Sequence, residues 1–201
     1  MLSTYKVVVV GSSGVGKTAI VQRLVDKSFS DDGQPTIGVE FKCFTTKIGD
    51  DSVKLNIWDT AGQEKFRSVS KAYFRNAVGA VLVYSLNDRD SFDDLGRWLN
   101  DLQSLAAPNC AIFAVGNKLD LKDQRVILSS EAEAFSERHG LEYFEMSALD
   151  STNVEDTFVS LAKAIHEKVK RGDIKGNFQL STPPVLVTTD KRSAPESGGC
   201  C

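Results

Sequence analysis

The segment GSSGVGKT at residues 11–18 decides how this chain is read, because it joins the apolar run Val7–Val10 to a stretch with helical spacing over 16–27. A strand that runs into a glycine-rich turn and then a helix aims backbone N–H groups and the positive helix end at one point, which is an anion site. Gly11, Gly14 and Gly16 let the backbone bend that far. Lys17 adds a point charge for the β- and γ-phosphates of a nucleotide, and the Thr18 hydroxyl is placed for Mg²⁺. The candidate phosphate contacts are Ser13, Gly14, Val15, Gly16, Lys17, Thr18 and Ala19. A glycine turn with a solvated lysine is the plainer alternative, and the strand and helix on either side argue against it.

Outward from this segment, short runs rich in Val, Ile, Leu and Phe alternate with helical patterns up to about residue 171. The spacing predicts strands over 5–10, 38–47, 53–59, 78–84, 111–116 and 142–146, and helices over 16–27, 66–76, 91–106, 130–139 and 152–171. Gly49, Asp50 and Asp51 read as a hairpin turn that makes the second and third strands antiparallel. Ser129 or Ser130 is expected to cap the fourth helix, with Gly140 as its stop. The fold expected is α/β, one six-stranded, mostly parallel sheet with helices on both faces. A chain of 201 residues with 41% hydrophobic and 25% charged residues suits one core. The net charge of -3 gives no reason to expect nucleic acid as a partner. Four cysteines, two isolated (Cys43, Cys110) and two adjacent (Cys200, Cys201), form neither a disulfide framework nor a zinc spacing.

A phosphate loop serves kinases, ATPases and GTPases alike, so the base must be read elsewhere. In NKLD at 117–120, Asp120 can accept hydrogen bonds from the N1–H and exocyclic amine of guanine, whereas adenine presents a lone pair at N1. Sites of this kind discriminate by roughly 10⁴ or more. In WDTAGQE at 58–64, Asp59 can reach the Mg²⁺ shell, through water, and Gly62 can present its N–H to the γ-phosphate. Gln63 can orient a water in line with that phosphate and is the catalytic candidate.

GSSGVGKT, the threonine of PTIG, WDTAGQE, NKLD and the Ser-Ala of MSAL stand in the order and approximate spacing of Ras-like small GTPases, which residues 4–171 resemble without large gaps. The fold implied is the small G-domain of the P-loop NTPases. Within that superfamily the chain looks like a Rab, through IGVEF at 37–41, KLNIWDTAG at 54–62, QEKFRS at 63–68, AYFRNA at 72–77 and VLVYSL at 81–86. The resemblance implies GTP and GDP as bound substrate and product, Mg²⁺ as cofactor, and slow hydrolysis in a switch that regulates vesicle trafficking. It also implies Phe29 against the guanine, Thr36 on Mg²⁺ and the γ-phosphate, Asn117 and Lys118 completing the base pocket, and Ser147, Ala148 and Leu149 bracketing the base. Ile37, Gly38, Phe41, Trp58 and Tyr73 correspond to the surface that meets effectors. Two positions depart from the family pattern: Leu149, where a lysine is usual, and Gly33, where a tyrosine is common. Ser13 is tolerated in Rabs.

Residues 1–171 are thus expected to form the GTP-binding domain and 172–201 a flexible tail. Gly198 stands where a four-residue prenylation box would have its cysteine, so the SGGCC ending resembles the Rab type, with lipid on both Cys200 and Cys201. Two chains suffice for stable anchoring without a polybasic patch. The implied setting is the cytoplasmic face of an endomembrane compartment with a cytosolic pool. The implied partners are an exchange factor, a GTPase-activating protein, effectors, the Rab escort protein and the GDP-dissociation inhibitor, around a monomer. A Ras- or Rho-like signalling switch, a GTP-locked scaffold and an ATP-dependent kinase are the rival readings. Gln63→Leu is expected to leave nucleotide binding intact and to remove most hydrolysis in a single-turnover assay.

Overall fold

In the computed structural model, which describes residues 2–30, 36, 38–62 and 67–176, β1 (Leu2–Val10) is paired in parallel on both edges, to β3 (Asp51–Thr60) and to β4 (Gly79–Ser85). β5 (Ala111–Asn117) and β6 (Glu142–Glu145) continue the parallel ladder, and β2 (Val39–Ile48) closes the other edge antiparallel to β3. The order is β2-β3-β1-β4-β5-β6, the six-stranded, mostly parallel sheet expected.

The side-chain period of two distributes β1 between two cores. Tyr5, Val7 and Val9 meet α1 (Lys17–Asp26) and α6 (Val154–Arg171) through Ile20, Leu24, Phe158, Leu161 and Ile165. Val8 and Val10 meet the opposite layer, made by α2 (Arg67–Phe74), α3 (Arg89–Asp93), α4 (Leu95–Leu105) and α5 (Ser129–His139), through Phe74, Phe92, Leu95, Leu99 and Ala132. A strand apolar on both faces is what a central parallel position requires.

The hairpin between β2 and β3 turns on Gly49 and Asp50, with Ile48 opposite Asp51. Its tip is held to α6. The Tyr5 hydroxyl lies 2.7 Å from His166 Nδ1, His166 Nε2 lies 3.2 Å from an Asp51 carboxylate oxygen, and Lys170 pairs with the same carboxylate at 2.8 Å.

Three expectations are corrected. The single helix over 91–106 is two, α3 and α4, because the Asp88 side chain caps α3 early and the Asp94 carbonyl is shared by the amides of Arg97 (3.0 Å) and Trp98 (3.3 Å), which tightens that turn. Neither Ser129 nor Ser130 caps α5: the cap position is Leu128, with no side-chain bond, and the Ser129 hydroxyl is taken up by Arg125 and Glu145. Gly140 does end that helix, in the left-handed conformation. The packed chain also runs past 171, since Ile174 is buried in the α1–α6 core and the Asp173 carbonyl accepts a hydrogen bond from Asn109 Nδ2 at 2.9 Å. The segment 177–201, with Cys200 and Cys201, lies outside the described residues, as do Gly33, Ile37 and Gln63. No helix among the described residues is long and apolar enough to cross a membrane.

Phe158, fully buried between α6 and the sheet, should be the costliest truncation of this layer. Phe158→Ala is expected to lower stability by about 3–5 kcal/mol, read from the urea midpoint at unchanged m-value.

Candidate nucleotide site

All the parallel strands of the sheet end at the same edge, and β1 lies between β3 and β4, where an open α/β sheet forms its ligand crevice. Four segments leave that edge side by side: the loop 11–16, the end of β3 at Asp59–Gly62, the end of β5 at Asn117, and the loop 147–149 after β6.

The loop 11–16 ends on Gly16, the N-cap of α1, with φ 95. A Cβ there would collide with the side-chain amide of Asn117, so any other residue would strain the backbone and displace Asn117. Lys17 is buried, and its Nζ donates to the Ser12 carbonyl at 2.8 Å, the ammonium held inside the curve of the loop. Ser13 and Gly14 are exposed on the rim, while Val15 is packed in the core. Gly62 comes in from β3 so closely that a Cβ would strike Lys17 Nζ and the Ser12 backbone. The two loops of the phosphate side therefore touch at a glycine.

Three oxygen-bearing side chains converge beside Lys17. The Thr18 hydroxyl donates to an Asp59 carboxylate oxygen at 2.5 Å and lies 2.5 Å from the Thr36 hydroxyl. Asp59 is 1% exposed, yet its second oxygen has no hydrogen-bond partner among the described residues. An orphaned buried carboxylate oxygen is costly unless something charged completes it. An all-oxygen cluster beside a phosphate loop fits Mg²⁺, a hard cation that takes one or two carboxylates and keeps room for phosphate and water. Burial pushes the Asp59 carboxyl up from 3.8 to about 6, against the Thr18 hydrogen bond and the Lys17 charge. Burial also brings Lys17 down from 10.5 to about 8, with Asp59 opposing it.

The base side is organised by Asn117. Its Nδ2 donates to the Val15 carbonyl at 2.9 Å and its Oδ1 accepts from the Ala148 amide at 3.2 Å, so one side chain joins the phosphate loop to the loop after β6. Lys118 turns the chain with φ 68, and the buried Ser147 hydroxyl donates to Asp120 Oδ1 at 2.6 Å, orienting that carboxylate. Leu149 is half exposed at the outer end of the loop. Phe29, beyond α1, packs on the edge of the α1–α6 core.

On the opposite layer, Phe41, Trp58 and Tyr73 form a continuous aromatic surface, with centroids 5.0 Å apart for Phe41–Trp58 and 5.2 Å for Trp58–Tyr73. Gly38 lies at its upper end, where its carbonyl accepts from the Ala61 amide at 3.0 Å. Lys6 Nζ stands 5.6 Å from the centre of the Trp58 ring and donates to the Arg75 carbonyl at 2.8 Å.

Two residues at the site have no signal in the linear pattern. Arg23 of α1 donates to the Ala148 and Leu149 carbonyls at 2.8 and 2.7 Å. Asp94, at the break between α3 and α4, accepts from the Ser12 hydroxyl at 3.3 Å, and Trp98 Nε1 donates to that same hydroxyl at 3.4 Å. Both act across long sequence separations, which no local spacing encodes.

The model of the Ras family matches residues 6–167, which spans β1 through most of α6. Among curated relatives, the Ras-related protein Rab11D of Nicotiana tabacum is 42% identical over 98% of this chain and 92% of its own length. The Ras-related protein RABA4d of Arabidopsis thaliana is 40% identical over 98% of this chain and 92% of its own. The GTP-binding protein YPT1 of Saccharomyces cerevisiae is 38% identical over 98% and 96%. The chain belongs to the Ras family, as a Rab-type small GTPase of vesicle traffic.

The raised Asp59 carboxyl has a measurable consequence. Between 3.8 and about 6 the folded chain keeps a proton that the unfolded chain has lost, so this group makes stability fall as pH rises through that window. In metal- and nucleotide-free protein, the stability advantage of Asp59→Asn over the parent is expected to grow from pH 4 to pH 6 and then level off, read from urea midpoints across that range.

Proposed function

We propose that this GTPase holds GTP and GDP with Mg²⁺ at the sheet edge just described and that the γ-phosphate sets which state its partners read. The observation that carries this is the convergence of Lys17, Thr18, Thr36 and Asp59 around a carboxylate oxygen that has no hydrogen-bond partner among the described residues. Lys17 and the N–H groups of residues 13–18 would neutralise the β- and γ-phosphates, and Thr18, Thr36 and Asp59 would hold the cation. Bound there, Mg²⁺ supplies charge that offsets the negative charge developing on the phosphates. Gly62 offers its N–H to the γ-phosphate, and Gln63 aligns the attacking water. Phosphoryl transfer of this kind is positioning and electrostatics rather than covalent work by the protein.

Asp120, oriented by Ser147, reads the N1–H and amine of guanine. Asn117 and Lys118 shape the pocket, Phe29 packs on the base, and Ala148 and Leu149 close its far side. Loss of the γ-phosphate releases the loops around Thr36 and Gly62. Because Gly38 and Ile37 adjoin Thr36, and Trp58 adjoins Asp59, the aromatic surface of Phe41, Trp58 and Tyr73 lies where effectors would sense that change. Exchange factors and GTPase-activating proteins are the partners common to the family; the escort protein, the GDP-dissociation inhibitor and lipid on Cys200 and Cys201 complete the cycle on the cytoplasmic face of an endomembrane.

Competition for loading distinguishes this reading from its rivals. GDP and GTP are expected to displace a fluorescent guanine nucleotide while ATP at a thousandfold excess does not, and bound GTP should turn over slowly in a single-turnover assay, about 10⁻⁴ to 10⁻² s⁻¹ unaided. Chelating Mg²⁺ should speed release of bound GDP by about tenfold or more. Preference for ATP would overturn the role given to Asp120, and selective binding with no turnover even with an activating protein would leave a scaffold.

A further inference from the structure

Arg23 is the side chain with the most unexplained work at the site. It projects from α1, five residues beyond Thr18, and among the described residues its guanidinium donates three hydrogen bonds, each to a backbone carbonyl. Nε donates to Ala148 at 2.8 Å, Nη2 to Leu149 at 2.7 Å, and Nη1 to Lys27 at 3.2 Å. The planar fork of arginine suits this, because several donors are fixed at once in one geometry. The guanidinium carbon also stands 6.0 Å from the centre of the Phe29 ring, within cation–π range.

These partners belong to two different walls. Ala148 and Leu149 form the loop after β6, and the amide of Ala148 is already held from the inside by Asn117 Oδ1. Arg23 takes the carbonyl of that same residue from the outside. On the other wall, Lys27 is the left-handed residue that ends α1, with φ 54, and Phe29 follows two residues later. One side chain therefore fixes the path of the chain into Phe29 and the outer end of the base loop, from a helix that begins at the phosphates.

Building on the site assigned above, we infer that Arg23 is a positioning residue that couples the Phe29 wall of the base pocket to the 147–149 wall, so that neither can open without loosening the other. It touches no reacting atom and acts through the groups it holds. A partner that drew the Phe29 segment away would break the ring contact and strain the Lys27 bond. The same motion would disturb the two bonds that hold the base loop, and nucleotide would leave from a pocket opened on both sides.

Release of a fluorescent GDP analogue tests this with the full chain, using Arg23→Met, Arg23→Lys, Phe29→Leu and the double variant Arg23→Met/Phe29→Leu. Methionine keeps an apolar stem against Phe29 and removes every donor, so release should speed by about ten- to a hundredfold, as expected for two or so lost charge-assisted bonds. Lysine keeps a charge and part of the hydrogen bonding and should recover part of the loss. The coupling itself is read from the double-mutant cycle: the combined effect on release should fall short of the product of the single effects by about threefold or more. Parent-like release in Arg23→Met overturns the inference, and so does a double variant whose effect equals that product. A purely structural role would give multiplicative effects and no recovery by lysine. If the parent retains no guanine nucleotide, the site assignment fails and the inference fails with it. Failure of Arg23→Met or of the cycle in a parent that binds GDP selectively sinks the inference alone.

Discussion

Parallel pairing on both edges of β1 is the constraint from which the rest follows. A parallel neighbour cannot be reached by a tight turn, so each step from β3 to β4, β5 and β6 needs a crossing segment, here with a helix packed on the sheet. Those crossings bury both faces, which is why β1 and β4 are apolar on both sides, and they leave every parallel strand pointing at one edge. The site is assembled from what leaves that edge. Lys17, Asp59, Asn117 and Ser147 are far apart in the chain and adjacent in space because the ladder puts their strands side by side.

The buried charge at the site follows from the same arrangement. Lys17 and Asp59 sit at the ends of segments that the sheet draws inward, so both lose water, and burial moves the two groups toward neutrality from opposite directions. Each is partly compensated by the other, Asp59 also by the Thr18 hydroxyl and Lys17 by the Ser12 carbonyl, but among the described residues one Asp59 oxygen is left without a hydrogen-bond partner. A site left short of one charge in this way is prepared for a ligand rather than optimised for the empty fold.

What could be read from the sequence was local. The glycine-rich turn with its lysine and threonine is one continuous segment whose chemistry depends on neighbours in the chain, and the strands are short runs with a period of two. The hairpin was legible for the same reason, since Gly49 and Asp50 lie between two alternating runs. Tertiary bonds override the local signal at two places: Ser129 has the chemistry of a cap, but Arg125 and Glu145 claim its hydroxyl, and the tightened turn at Asp94 breaks a helical pattern that looks continuous. Ile174 lies among polar, irregular neighbours that read as tail, yet its side chain is buried in the core. Arg23 and Asp94 were invisible, because nothing near them in the sequence names Ala148, Leu149 or Ser12 as a partner.

The hydrogen bond from the Ala61 amide to the Gly38 carbonyl joins the segment after β3 to the segment before β2. On the proposed reading these are the two stretches that respond to the γ-phosphate, and the bond spans them within one hairpin, with Val39 and Thr60 as the first pair of the ladder below it. Two segments zipped at their base do not vary independently; a displacement of one unpairs the other. On that reading, the surface offered to a partner would carry one variable rather than two.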